Sequence, residues 1–190
     1  SISNEESDLS GSFGYKTKTQ SIAYGRSLRV DENLSTSVGI KLSQIEGYEP
    51  VLDADFINEN IDSYNQTELN LRINFDSTDD IFFPTNGITS SFGLTLSPEG
   101  LSKDAFFKTV IQYDQYKRLK DSDRYLFTVN DLGIADSYNS NLRTINSFSL
   151  GGSNFKGFDY RGIGPKSNGA YLGGNSFFTN TVGYGGSFLF

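Results

Sequence analysis

Acidic side chains are the first candidates for chemistry in this sequence. The adjacent pair Asp79-Asp80 could bind a metal or carry acid–base chemistry. A second group lies in the long segment 45–64 and comprises Asp53, Asp55, Glu59 and Asp62. Calcium sites need oxygen ligands at a defined spacing, and these four do not show one. The preferred interpretations are a solvated acidic loop and, beside the string "FFPTNG", a polar turn.

The amino-acid composition excludes several kinds of protein. The 190 residues contain no His, Cys, Met or Trp. Thiol catalysis and disulfides are therefore excluded, and zinc sites and Ser–His relays nearly so, which disfavours a hydrolytic enzyme. A formal net charge of −7 argues against nucleic-acid binding, because that binding relies on cations that neutralise phosphates. We predict no catalytic residue, no metal and no cofactor.

The densest glycine-containing stretch is "LGGSNFKGFDYRGIGPKSNGAYLGGN", residues 150–175. Glycine doublets lie near both of its ends, and it carries three lysine or arginine side chains. The part "GGSNFKG" is not a phosphate loop, because no helical pattern follows it. By themselves, the glycine pairs indicate turns and Lys156 indicates a solvated loop cation.

Strict alternation of apolar and polar residues surrounds this stretch. In 66–76 the residues Thr67, Leu69, Leu71, Ile73 and Phe75 fall on one face without exception, and 33–43 and 87–97 repeat the pattern. Less regular strands are predicted at 19–29, 105–116, 123–135 and 175–190, with an eighth near 8–17. A change of phase at Asn130-Asp131 predicts a bulge. No segment has a convincing helical pattern.

The length of these strands favours a membrane barrel over a soluble β-sandwich. Several run to about ten or eleven residues, the length that crosses a bilayer when tilted, whereas sandwich strands average about five or six. Short polar turns (29–33, 82–87 and 120–123) alternate with long connections (45–64 and 150–174), as in outer-membrane barrels. We therefore predict an antiparallel transmembrane β-barrel of about seven or eight strands. Leu69, Leu71, Ile73, Phe92, Leu94 and Leu96 should face lipid, and Lys41, Glu68, Asn70 and Arg72 should face the lumen.

Two segments resemble the outer-membrane protein assembly factor family, the BamA superfamily or bacterial surface antigen barrel. "FDSTDDIFFPTNGITSSFGLTL" (75–96) is similar to that family's strand, FPTxG-type periplasmic turn and next strand. "LGGSNFKGFDYRGIGP…LGGN" (150–175) is similar to its sixth extracellular loop: a GG doublet, a [V/I]RG[F/Y] tetrad, IGP and a closing GGN. The resemblance covers about residues 20 to 182.

The resemblance implies which residues form functional motifs. The luminal loop motif comprises Gly151, Gly152, Phe155, Lys156, Gly157, Phe158, Arg161, Gly164, Pro165, Gly173, Gly174 and Asn175. The periplasmic turn motif comprises Phe83, Pro84, Thr85 and Gly87. Lys156 replaces the family's luminal arginine and lacks its planar fork, so the contact is either weaker or assisted by Arg161. The expected partner of Lys156 is a luminal carboxylate, with Glu68 and Asp114 as candidates in this chain.

The family's barrel is sixteen-stranded and follows POTRA domains, so residues 1–190 are interpreted as one partial barrel domain with its luminal loop at 150–174 and no POTRA domain. The alternative is a small passive eight-stranded barrel, which the aromatic ending "YGGSFLF" imitates. The implied function is insertion of outer-membrane proteins without enzymatic activity. The implied partners are outer-membrane lipids, unfolded β-barrel clients and, in the full-length context, assembly lipoproteins. A related two-partner-secretion or patatin-fusion barrel is the other alternative.

Overall fold

A computed structural model describes residues 1–9, 14–50, 61–120, 123–152 and 154–186. Asp53, Asp55 and Glu59, and the last four residues of the sequence ending, lie outside the described residues. The strands are β1 (Ile2–Asp8), β2 (Lys16–Arg29), β3 (Leu34–Tyr48), β4 (Ser63–Asp76), β5 (Gly87–Ser97), β6 (Phe106–Arg118), β7 (Tyr125–Ser137), β8 (Lys166–Ser167), β9 (Ala170–Tyr171) and β10 (Ser176–Gly185). The described residues include no helix long and apolar enough to span a membrane.

Eight of these strands form one antiparallel sheet in the order β1-β2-β3-β4-β5-β6-β7-β10, while β8 and β9 form a separate two-residue hairpin. In the described part of the chain, no pairing joins β1 to β10. The connections 30–33, 77–86 and 119–124 lie at one end of the sheet, and the longer connection 138–175 lies at the other. This all-β antiparallel architecture confirms the predicted fold class.

The two faces of the sheet differ in chemistry, as the alternation predicts. The inner face is the face that carries the connection 138–175; its polar pairs include Lys41 with Glu68, at 3.9 Å between Nζ and Oε2, and Thr95, whose hydroxyl donates to Asn70. The outer face exposes large apolar side chains, among them Leu28, Val38, Ile40, Leu42, Leu69, Ile73, Ile111, Ile134, Phe178 and Val182. A sheet with apolar residues outside and polar residues inside is the arrangement of a membrane barrel.

Two strand predictions were wrong. The strand predicted near 8–17 is not formed by the described residues of that range: β1 ends at Asp8, Leu9, Gly14 and Tyr15 lie outside strands, and β2 begins at Lys16. The predicted bulge is also not present, because Asn130 pairs one-to-one with Tyr113 and Asn180, and Asp131 with Gln112. The apparent change of phase arises because β7 turns two apolar residues, Phe127 and Val129, inward. On its outer face the Asn130 amide donates to the Tyr113 carbonyl at 2.9 Å, so the polar residue is accommodated without a break in the ladder.

Candidate functional site

The glycine-rich connection begins earlier than the sequence indicates, at residue 138, directly after β7. We call residues 138–175 the inner loop. Its first part, 143–148, is pressed onto the inner face near the strand ends. The Tyr15 and Thr144 hydroxyls are 2.5 Å apart, and the Asn146 amide donates to the Gln66 side chain at 3.2 Å. Tyr15, Thr144 and Gln66 are buried, so this contact forms part of the small core of the protein.

Arg143 is the principal cation of this contact. Its side chain is 8% exposed and makes ion pairs with Asp62, at 3.0 Å between Nη1 and Oδ1, and with Asp104 through Nε. Its guanidinium also lies 4.1 Å from the centre of the Tyr64 ring. Asp62 precedes β4 and Asp104 precedes β6, so one planar fork joins the loop to two connections at the same end of the sheet. We call Arg143, Asp62, Asp104 and Tyr64 the loop latch.

The electrostatics of the loop latch favour its charged form. Burial by itself would raise the pKa of Asp62, but the hydrogen bond from Lys103 and the positive charge of Arg143 outweigh it and lower that pKa. Burial would likewise lower the pKa of Arg143, and the hydrogen bond to Asp104 outweighs it, so the pKa is raised. Both shifts mean that the paired ions are more stable in the folded protein than the neutral groups.

A second contact fastens the loop to β6, β7 and β10. The Lys108 ammonium donates to the Asn146 carbonyl at 2.9 Å and lies 4.5 Å from the centre of the Phe148 ring. Phe148 packs edge-on against Phe177, with ring centres 4.9 Å apart. Both rings cover Gly133, where an added Cβ would come within 2.2 Å of the Phe177 ring and 2.8 Å of Phe148. A glycine on β7 therefore makes the space that the loop aromatic occupies.

The glycine doublets allow the loop to fold tightly on itself. Gly151 has φ 123°, and a Cβ there would lie 2.1 Å from the Asp159 carbonyl oxygen. Gly173 has φ 76°, and its Cβ would collide with the Ser147 hydroxyl at 1.9 Å. Gly174 exchanges two backbone hydrogen bonds with Phe148, at 2.8 and 2.9 Å. Only glycine combines positive φ with such close packing.

Backbone hydrogen bonds also hold together the later part of the inner loop, from Gly152 to Asn175. Gly152 donates to the Phe158 carbonyl at 2.9 Å, and the Pro165 carbonyl accepts from Leu172 at 3.0 Å. The Asn175 carbonyl accepts from the Ala135 amide at 2.7 Å and so returns the chain to the sheet. Gly164 has φ 136°. The loop thus has a rigid base and a compact body.

The tetrad Phe155-Lys156-Gly157-Phe158 lies at the exposed tip of the loop. Its two aromatic rings face each other at 5.6 Å, and Lys156 is exposed. Within the described ranges no carboxylate lies within 4.0 Å of Lys156. The Glu68 carboxylate instead lies 3.9 Å from the Lys41 ammonium. The expected pairing of Lys156 with Glu68 or Asp114 is therefore not formed, because the base of the loop, rather than its tip, lies against these strands. Arg161, with φ 56°, lies over the neighbouring Tyr160 ring.

The turn between β4 and β5 is built around Asp79. Its carboxylate accepts the backbone N–H groups of Thr85 and Asn86, both at 2.9 Å, and pairs with the Arg118 guanidinium at 2.7 Å. The hydrogen bonds from Thr85, from its hydroxyl and its backbone, are the main cause that holds the pKa of Asp79 well below its usual range. The Asp80 carboxylate accepts from Phe83. The pair thus caps a turn, and no group of three or more potential metal ligands occurs among the residues described.

The motif turn also contains one obligatory glycine. Gly87 has φ 116°, and a Cβ there would be 2.5 Å from the Ser77 carbonyl oxygen. Pro84 precedes Thr85, and the Phe83 side chain is exposed (81%). The turn lies at the same end of the sheet as the other short connections.

Sequence reasoning missed the loop latch. Arg143 lies eight residues before the first glycine doublet, and its partners are 81 and 39 positions away in the chain. No local pattern marks such a pair, because it forms only when the β3–β4 and β5–β6 connections meet the loop over the inner face.

An antiparallel sheet with an apolar outer face, a polar inner face and a glycine-rich loop fixed to that inner face is typical of the wall of an outer-membrane β-barrel. The chain belongs to the Omp85 superfamily, whose domain matches residues 1–188.

The fold is similar to that of BamA from Haemophilus ducreyi lacking POTRA domains 1-3. The TM-score is 0.78 at 20% sequence identity, over 88% of this chain and 37% of that one. At this identity the likeness shows the fold alone, and the chain spans well under half of the BamA chain it matches. A comparison with curated proteins found no match.

Proposed function

We propose that this protein is an outer-membrane β-barrel assembly factor of the BamA type, which folds and inserts other barrel proteins into the bacterial outer membrane. Membership of the Omp85 superfamily supports the class of protein. The observation that carries the proposal further is the inner loop, whose base is fixed to three regions of the inner face by the loop latch, Lys108 and Phe148.

Such a function requires no catalytic residue, because the bilayer supplies the driving force when a client strand buries its outer face. The assembly factor lowers the barrier by offering backbone partners to an unpaired strand and by disturbing the nearby lipid. The partners of the proposed protein are unfolded barrel clients, outer-membrane lipids and assembly lipoproteins. Residues 1–190 would contribute one part of the barrel wall and the luminal loop.

Two related functions are compatible with the same superfamily. A two-partner-secretion barrel or a patatin-fusion barrel would also carry an inner loop, but the Ile163-Gly164-Pro165 and Gly173-Gly174-Asn175 elements favour the BamA type. A small passive eight-stranded barrel would need β1 to meet β10. In the described residues these two strands lie at opposite ends of the sheet order, which favours a larger barrel.

Reconstitution separates these functions. The native protein in liposomes should accelerate the folding of an urea-unfolded barrel client, measured as the heat-modifiable band on cold gels, relative to empty liposomes. Arg143→Ala should reduce this acceleration, whereas Arg118→Ala, which breaks an exposed pair at the opposite end, should leave it nearly unchanged. If the wild-type protein gives the same folding rate as empty liposomes, the assembly function is refuted. Release of a secreted client across the bilayer would instead support the secretion barrel.

A further inference from the structure

The inner face contains a basic recess that adjoins the base of the inner loop at Lys108. It has a volume of about 530 Å³, and it lies between β2 and β6. Part of its floor consists of residues without side chains: Gly25 and Gly39, which are paired across β2 and β3, and Gly93 on β5. Beside them the Thr95 hydroxyl donates to the Asn70 amide oxygen at 2.8 Å, which keeps both side chains flat against the sheet. A chain segment could therefore approach the backbone closely here.

Three cations surround this floor. We call each line of paired inner-face residues a row. Gly39 and Asn70 share one row, Lys41 lies in the next row on one side of it, and Arg72 lies in the next row on the other side. Lys108 closes the β6 side. The rows of Lys41 and Arg72 are four residues apart, which is about 14 Å along a strand. The charges therefore flank a flat surface that is large enough for several residues of an extended chain.

Two of these charges, those of Lys41 and Arg72, are weakly compensated, whereas Lys108 donates to the Asn146 carbonyl of the inner loop. Lys41 approaches Glu68 only to 3.9 Å and keeps 37% of its side chain exposed. Arg72 is exposed, and none of the carboxylates that the structure describes lies within 4.0 Å of it. In a chain with a formal net charge of −7, a recess bounded by cations with a single nearby carboxylate is a local excess of positive charge. An unpaired guanidinium facing such a recess offers a planar donor fork that fits a carboxylate.

We propose that this recess binds an extended acidic polypeptide segment that carries two carboxylates four residues apart. Alternate side chains of an extended chain point to the same side, so residues i and i+4 share a side and are about 14 Å apart, the spacing of the two cation rows. One carboxylate then meets Arg72 and the other meets Lys41, while the backbone lies over the glycines. The glycine floor is the feature that distinguishes a polypeptide ligand from a small free anion, because an isolated anion needs the cations and not the flat surface.

Binding of a labelled peptide to the purified protein in detergent micelles tests this inference. The probe is fluorescein-labelled Ser-Gly-Glu-Ser-Ser-Ser-Glu-Gly, and its control has glutamine at both acidic positions. Fluorescence anisotropy at low ionic strength should show binding of the acidic peptide and at least fivefold weaker binding of the control. Arg72→Gln and Lys41→Gln should each raise Kd about fivefold, the effect of about 1 kcal/mol.

Two variants separate the cations from the floor. Gly93→Leu keeps every charge but fills the floor, and it should also weaken peptide binding. Space is available for this change, since the nearest atom to a Cβ at Gly93 is the Val110 carbonyl oxygen at 3.8 Å. Lys117→Gln is the matched charge control, because Lys117 is exposed, pairs with Leu126 on the outer face and does not line the recess.

The possible results decide between the ligands. Equal binding of the acidic and glutamine peptides, or equal effects of Arg72→Gln and Lys117→Gln, would overturn the proposal. Full competition by millimolar inorganic phosphate, together with unchanged peptide binding in Gly93→Leu, would overturn the polypeptide assignment in favour of a small-anion site. This assay does not measure client insertion, so its failure is distinguishable from failure of the proposed assembly function.

Discussion

Replacing Arg143 by alanine should detach the base of the inner loop. The substitution removes two ion pairs and the stacking on Tyr64, and it leaves Asp62 and Asp104 without their shared partner. These carboxylates are 29% and 12% exposed, so neither can recover full hydration without movement of the loop. The change therefore creates uncompensated charge at a partly buried site.

The size of the effect follows from this burial. Removal of one partner from a fully buried ion pair costs about 3–5 kcal/mol. Asp62 is nearly one-third exposed and keeps its contact with Lys103, so screening reduces the expected cost to about 2–3 kcal/mol. Arg143→Lys should recover about half of this loss, because lysine restores the charge but cannot reach both carboxylates with a planar fork.

Arg118→Ala is the matched control. Arg118 also pairs with an aspartate, Asp79, at 2.7 Å, but its side chain is 55% exposed and the pair lies at the opposite end of the sheet. An exposed pair of this kind contributes about 0–1 kcal/mol. The comparison therefore tests burial, rather than the presence of an ion pair, as the source of stability.

Urea unfolding of the protein in micelles measures the change in the free energy of unfolding. The transition is followed by near-UV circular dichroism of the tyrosines, since the chain contains no tryptophan. Limited proteolysis within residues 154–160 measures detachment of the loop, and Arg143→Ala should be cleaved faster than wild type. Lys156→Ala should be cleaved at nearly the wild-type rate, because Lys156 is exposed. If Arg143→Ala and Arg118→Ala lose equal stability and show equal cleavage, the reasoning about the latch is wrong.

Three further predictions concern other parts of the molecule. Gly133→Ala should lower the free energy of unfolding by about 1–3 kcal/mol and expose the inner loop to protease, because the added Cβ would lie 2.2 Å from the Phe177 ring. Gly93→Ala is the control in the same row of the sheet and should lower it by less than about 1 kcal/mol. Leu71→Arg on the outer face should lower the unfolding free energy in liposomes by about 2–4 kcal/mol if it lies near the bilayer midplane, and a cost below 0.5 kcal/mol would contradict a lipid-facing position. The depressed pKa of Asp79 stabilises the β4–β5 turn fully above the unfolded carboxyl pKa of about 3.9, and this stabilisation is lost as the pH falls below it toward the folded pKa. Proteolysis of that turn by an acid protease should therefore increase below about pH 4 in the wild type, and Asp79→Asn should remove the pH dependence.

Local pattern was sufficient for most of the sheet. The alternation in 66–76 assigned Leu69 and Glu68 to opposite faces, and the sheet places them so, because side chains of a strand point to alternate sides whatever the strand pairs with. The turn at Asp79 was also accessible from the sequence, since Pro84 fixes its own φ and Gly87 permits the positive φ at which the chain leaves the turn. The bulge predicted from the alternation at Asn130 was wrong. Asn130 is a polar residue on the outer face, and its amide donates to the backbone of the neighbouring strand.

The contacts of the inner loop required the tertiary structure. The resemblance directed attention to Lys156, yet the cation that joins the loop to the sheet is Arg143, and nothing in its neighbours along the chain distinguishes it. Its environment is created by Asp62, Asp104 and Tyr64, which the pairing of the strands and the path of the loop bring together. The sequence by itself determined which face of each strand is apolar and where the chain turns. Only the folded sheet decided which charges meet, because ion pairing depends on distance through space and not along the chain.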